Sequence, residues 1–253
     1  MAARERDSAS PGILANMTAT ATKLEVHYPE SDGMPMAETD VHRRWMIWLI
    51  DVLMRRYRGE RVYVSGDLFI YYVEGHPKHC VAPDAFVVLD CDPGDRRVFK
   101  TWEEGRVPNV VWEVTSRYTE RVDESIKPTW YQIMGVPELF YYDPTQDYMP
   151  TPLMGYRLDP SRRGGMRYES IVPDSEGRLL SQELGLHMSL DDDGGLVVAD
   201  AATGARLLTD AEAEAQARQA EAQARQAEAQ ARQAAEAEVA RLKALLHERN
   251  HGQ

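Results

Sequence analysis

Two runs decide the fold of this chain: V-A-P-D-A-F-V-V-L-D at residues 81–90 and N-V-V-W-E-V-T-S-R-Y-T-E-R-V-D-E-S-I-K at residues 109–127. Both contain apolar, β-branched segments that read as strands. Each carries one acid that an apolar strand does not need. Asp84 stands at the head of the first run, after Pro83, which donates nothing to a strand ladder. Glu113 stands inside the second, between Trp112 and Val114, where a charge requires a compensating partner, either a lysine or a metal ion. Lys127 follows at a predicted helix start. Read alone, Asp84 serves equally as a turn carboxylate, and Glu113 as half of a buried ion pair. Read together, two acids, a backbone carbonyl and a lysine form an oxygen-rich set suited to magnesium or manganese. The lysine would steady charge developing on a phosphate.

Working outward, the 109–115 strand is near-continuously apolar, as expected of a strand covered on both faces. A polar loop follows, and then a helix from about Ser125 to Met134. Asp123 or Ser125 is its expected cap and Gly135 its stop. Pro128 fits only a first turn, so Lys127 belongs at the helix N-terminus. The next strand, Glu138–Tyr142, completes a crossover unit, and the two strands are expected to run parallel.

Upstream, Thr39 or Asp40 opens a helix. Val41, Trp45, Trp48, Leu49, Val52 and Leu53 form its apolar stripe, and it ends near Tyr57 and Gly59. Glu38 lies at its entry and His42 in its first turn. Residues 61–73 read as two strands joined at Ser65-Gly66-Asp67. Downstream, residues 156–158, 166–171, 186–190 and 196–198 read as antiparallel additions to the main sheet. The fold class is therefore α/β: a mixed central sheet flanked by helices over residues 36–205. It is preceded by a mobile N-terminal tail at 1–35 and followed by an alanine-rich helical tail at 208–249.

That tail repeats A-E-A-Q-A-R-Q every seven residues, with Glu214, Glu221 and Glu228 each four positions before an arginine, a favourable order. The alanine seam buries little, whereas Val239, Leu242 and Leu246 would lock better. Both an oligomeric coiled coil, giving a homo-oligomer, and a lone solvated helix fit this pattern.

The 253 residues carry a net charge of -12 and are 43% hydrophobic. All the aromatic residues precede the tail, so the core lies there. The acidic balance argues against broad electrostatic capture of nucleic acid or anionic membrane. Cys80 and Cys91, at opposite ends of one predicted strand, are too far apart to pair, which favours a reducing cytoplasm. No apolar run exceeds residues 45–50, far short of a membrane span. His76, His79 and Cys80 lack a fourth ligand at zinc spacing and read as a loop.

The ordered set E-T-D-V-H, V-S-G-D-L-F-I-Y-Y, V-A-P-D-A-F-V-V, E-V-T-S and D-E-S-I-K-P-T-W-Y-Q-I-M-G-V-P-E-L-F-Y-Y-D-P resembles the Uma-two family of restriction endonucleases, within the PD-(D/E)xK nuclease superfamily. The likeness covers about residues 37–190. It implies a restriction-endonuclease-like fold and a magnesium- or manganese-dependent endonuclease acting on DNA. Asp84, Glu113 and the Val114 carbonyl would bind the metal and Lys127 would complete the catalytic set. Glu38 and Asp123 are possible accessory acids. In the superfamily pattern the lysine follows the glutamate by two; Thr115 occupies that position here, and the lysine's place is taken by Lys127 on the next helix. The alternative is a catalytically silent nuclease fold that acts through its coiled tail.

Overall fold

The computed structural model describes residues 26–31, 39–115, 126–161 and 165–251. Its centre is a six-stranded sheet in the order β1 (Val62–Ser65), β4 (Ala85–Leu89), β6 (Val110–Val114), β7 (Glu138–Tyr142), β8 (Leu153–Asp159) and β9 (Arg167–Ser170). Neighbours are antiparallel except β6 and β7, which run parallel with Val110 opposite Glu138 and Val114 opposite Tyr142. The mixed α/β sheet and the parallel crossover are those expected from the sequence. The crossover follows from chain direction: a helix between the strands returns the chain to the starting edge.

Every residue of β6 and of β7 is buried, because both faces of the sheet are covered. On one face, α1 (Asp40–Arg56) lays Leu49, Val52 and Leu53 against Ala85, Val87, Trp112 and Phe140. Thr39 caps this helix, its side chain accepting from the His42 backbone N–H at 3.2 Å. Beside α1 on the same face sits a separate three-stranded sheet, β10 (Leu179–Ser181), β11 (Leu186–Leu190) and β12 (Leu196–Asp200). Here the structure corrects the expectation of added strands on one sheet: only β8 and β9 extend the central sheet. Leu186, Met188 and Val198 are apolar on one side only, and that side caps the core.

On the opposite face, α3 (Lys127–Met134) buries Tyr131 against Val111, Leu139 and Tyr141. A small sheet of β3 (Cys80–Val81), β2 (Ile70–Tyr71) and β5 (Phe99–Lys100) completes this layer. The strand within the 81–90 run starts only at Ala85. Cys80 and Val81 pair with β2, Pro83-Asp84 breaks the ladder, and Ala85 starts β4. Both cysteines are free thiols. A short helix, α2 (Thr101–Glu104), follows β5.

The tail is one helix, α4 (Asp210–His251). Its start is fixed by a capping box: Glu212 accepts the Thr209 N–H at 2.7 Å, and Thr209 Oγ1 accepts the Glu212 N–H at 3.1 Å. Asp210 pairs with Arg55 and Arg58, and Trp48 donates to Glu212, so the first turn is tied to α1. Beyond it the described side chains are exposed. Glu221 meets Arg225 at 2.7 Å, but Arg232 pairs forward with Glu236 rather than back to Glu228. Among the described residues no helix is long and apolar enough to cross a membrane.

Candidate active site

The two acids singled out from sequence meet at the end of the central sheet. β4 and β6 are antiparallel with Ala85 opposite Trp112. One step further along that register, Asp84 lies beside Glu113. Asp84 Oδ2 accepts the Val114 backbone N–H at 2.7 Å and lies 3.1 Å from His42 Nε2. An ionised carboxylate only accepts, so this contact needs the Nε2–H form of the ring. Both partners are deeply buried, with Asp84 8% and His42 1% exposed. A charge at such a site is held mainly by its hydrogen bonds and little by solvent.

Gly66 makes this placement possible. A Cβ at residue 66 would lie 2.0 Å from the Asp84 carbonyl oxygen and 2.6 Å from Ile50 Cδ1. Asp67, at φ 49°, donates its N–H to the Pro83 carbonyl at 2.8 Å. The Ser65-Gly66-Asp67 turn therefore clamps the Pro83-Asp84 backbone from behind.

Glu113 is fully buried, and two residues of α3 hold it. Lys127 Nζ donates to Oε2 at 2.6 Å, and the Tyr131 hydroxyl donates to Oε1. Lys127 is the first residue of α3 and Tyr131 lies one turn on, so the i,i+4 geometry presents both to one carboxylate. Burial, with the Glu113 carboxylate adding to it, pushes the Tyr131 phenol well above its ordinary pKa, so it stays a donor. The cap of α3 is Ile126, which makes no side-chain cap bond. This differs from the expected cap at Asp123 or Ser125, both of which lie outside the described residues. Glu38 also lies outside them.

The structure thus brings Asp84, Val114, Glu113 and Lys127 together. It adds two partners that sequence reasoning missed, His42 and Tyr131. His42 had only its place in a helical first turn as a signal. Tyr131 had only its place one turn after Lys127 in the predicted helix. Thr115, two residues after Glu113, is buried and donates to Met149 Sδ at 3.1 Å.

A second buried acid, Glu138, has a different character. It accepts from Arg157 at 2.9 Å, from Ser181 Oγ at 2.5 Å and from the Gln182 N–H at 2.9 Å. These contacts tie β7 to β8 and β10, a structural role. Asp143 likewise accepts the N–H groups of Thr145, Gln146, Tyr148 and Met149, which folds the turn after β7.

Hard oxygen donors fit a divalent ion of the magnesium or manganese type: one carboxylate just before β4 and one within β6, with the carbonyl of Val114 directly after Glu113. Among the described residues there is no cluster of three or more His, Cys, Asp or Glu side chains able to hold a metal. This includes the His76, His79 and Cys80 loop.

A family model described as a putative restriction endonuclease matches residues 17–200. No curated protein matches the chain.

Proposed function

The chain belongs to the Uma2 family of putative restriction endonucleases, and from that premise we propose that it is a divalent-metal-dependent endonuclease hydrolysing DNA phosphodiester bonds at Asp84, Glu113 and Lys127. The observation that carries this reading is the paired geometry at the end of β4 and β6. One carboxylate is held by His42 and the Val114 N–H, the other by Lys127 and Tyr131. Purely structural acids such as Glu138 are spent on tying strands together. Asp84 and Glu113 are instead oriented side by side with a lysine.

In this reading Asp84, Glu113 and the Val114 carbonyl hold magnesium or manganese. The ion, when bound, would polarise the phosphate and lower the pKa of a water molecule. The protein's own groups do the positioning. His42 and the Val114 N–H fix the Asp84 carboxylate so that it need not reorganise during reaction. Tyr131 fixes Glu113 Oε1. Lys127, 14% exposed at its side chain, offers an ammonium beside the site to offset negative charge growing on the scissile phosphate as water attacks phosphorus and the leaving oxygen departs. Glu38 and Asp123 remain proposed accessory acids.

We extend the proposal to assembly. The exposed helix α4, with Val239 50% and Leu242 51% exposed, pairs with a second copy of the chain through that apolar seam.

One observation favours a second reading. Both oxygens of Glu113 are already engaged within the protein, which suits a silent nuclease fold working through its tail. Cleavage of labelled duplex and single-stranded DNA in magnesium or manganese separates the two. The nuclease reading expects Asp84→Ala and Lys127→Ala to lose at least about a hundredfold in rate, the scale of removing one electrostatic stabiliser, with secondary structure retained. Cleavage unchanged in Asp84→Ala overturns the site assignment.

A further inference from the structure

On the Glu113 and Lys127 side of the candidate site lies a cavity of about 450 Å³ that the proposed hydrolysis does not use. It falls within the range of small-ligand sites. Its walls are Tyr141, Tyr156 and Tyr168, with Met149, Met154 and Pro128, and none of the described lining residues is charged. It joins the candidate site at three points. Tyr141 stands opposite Glu113 in the β6–β7 register. Pro128 adjoins Lys127 in α3. Met149 receives the Thr115 hydroxyl, two residues beyond Glu113.

The rings are held in place. Tyr141 and Tyr156 meet edge to face, with centroids 6.1 Å apart at 84°. Tyr168 donates its hydroxyl to the Val136 carbonyl at 2.8 Å. The rim is open along exposed Pro150, and Tyr156 and Tyr168 are half-buried.

From this we infer that the cavity is a nucleobase subsite, and that the substrate presents an unpaired base, stacked among Tyr141, Tyr156 and Tyr168, while its phosphate faces Glu113 and Lys127. This rests on the nuclease reading above and narrows its substrate to single-stranded or locally unpaired nucleic acid. Aromatic faces bind any base, because every base has a π-face. A paired base within a duplex cannot enter such a pocket without leaving the stack. The charge balance points the same way. A protein of net charge -12 whose described pocket lining is uncharged draws affinity from stacking more than from phosphate neutralisation, so binding should fall less with salt than the strong dependence usual for basic single-strand grooves.

The test is fluorescence anisotropy with the full chain and a labelled, mixed-sequence 12-nucleotide single strand, against the same strand in duplex. Calcium replaces magnesium, and salt is varied. The single strand is expected to bind at least about tenfold more tightly than the duplex. Tyr156→Leu, which keeps apolar bulk but removes the ring, is expected to weaken single-strand binding about tenfold, the scale of one stacked base. Tyr156→Phe, which keeps the ring, is expected to retain it, and thermal melting of both variants confirms folding. Equal binding of duplex and single strand overturns the inference, as does wild-type affinity in folded Tyr156→Leu. Cleavage measured in parallel keeps the two proposals apart. DNA cut equally well by Tyr156→Leu leaves the nuclease standing and removes the subsite. Ring-dependent binding without any cleavage in manganese leaves the subsite standing and removes the nuclease.

Discussion

Tyr131 shows how much the candidate site depends on single buried contacts. Its hydroxyl serves one oxygen of a fully buried carboxylate, and no water can replace a donor there cheaply. Tyr131→Phe should lower stability by about 1–3 kcal/mol, the cost of leaving a buried polar group unpaired. Its manganese affinity should also fall roughly 10- to 100-fold, as for other groups that orient a metal ligand. Denaturant titration and calorimetry on the same preparation check both. A variant that loses stability but keeps full metal affinity would make Tyr131 a packing residue only. Gly66 is the backbone counterpart. With a Cβ 2.0 Å from the Asp84 carbonyl oxygen, Gly66→Ala must push the Pro83-Asp84 backbone aside. The expected destabilisation is roughly 1–3 kcal/mol, with nuclease activity lost out of proportion to it. The acids themselves were legible as residues, because a glutamate between Trp112 and Val114 has no apolar excuse. Glu138, at the head of an equally apolar strand, gave no such signal. Its strand read as ordinary, and its partners, Ser181 and Gln182, arrive from more than forty residues downstream.

Helices and strands were legible in proportion to how local their causes are. The α3 start at Lys127-Pro128 and the parallel β6–β7 pair follow from short-range spacing, and the structure has them; of the α1 stripe, Leu49, Val52 and Leu53 are buried and Trp45 and Trp48 pack against the core, while His42 and Met46 are buried in place of Val41. The second three-stranded sheet was not legible. β10 to β12 are short runs whose choice of sheet depends on which core they cover, a tertiary matter. The tail helix gives an element-scale prediction. Its attachment lies wholly in residues 207–212: buried Leu207, the Thr209–Glu212 capping box, and Asp210 against Arg55 and Arg58. Removing residues 214–253 should shift the thermal midpoint by no more than about 2 °C, since solvated side chains contribute little. Removing residues 207–253 should lower it clearly. If the tail pairs with a second copy, sedimentation velocity will show the shorter truncation converting an oligomer to a monomer. A wild-type monomer at all concentrations would rule out that pairing.

At the scale of the whole molecule, the dense tyrosine content of the core sets its response to alkali. Burial pushes the phenols of Tyr57 and Tyr71 up to about 12 from a reference of 10.0. Burial likewise raises Tyr131, Tyr142 and Tyr168. Below pH 10 these phenols are neutral in both folded and unfolded chains and their full contribution is present. Above it the unfolded chain sheds protons that the native state retains, so stability falls as pH rises from about 10 through the folded values. Thermal midpoints between pH 8 and 11.5 should drop steeply above pH 10. The tyrosinate absorbance of these residues should emerge together with unfolding. Titration of all twelve tyrosines before unfolding would contradict their burial.

The central claim, that Asp84 and Glu113 form a divalent-metal site, is tested most directly by calorimetric titration of manganese chloride into the wild-type protein and into Asp84→Asn. That variant keeps an acceptor for His42 and the Val114 N–H while removing the charge. The account predicts saturable binding to the wild type that is lost, or weakened at least about tenfold, in the variant. Identical isotherms for the two proteins, or no binding to the wild type, would contradict it and leave the closed Glu113–Lys127–Tyr131 cluster as part of the scaffold.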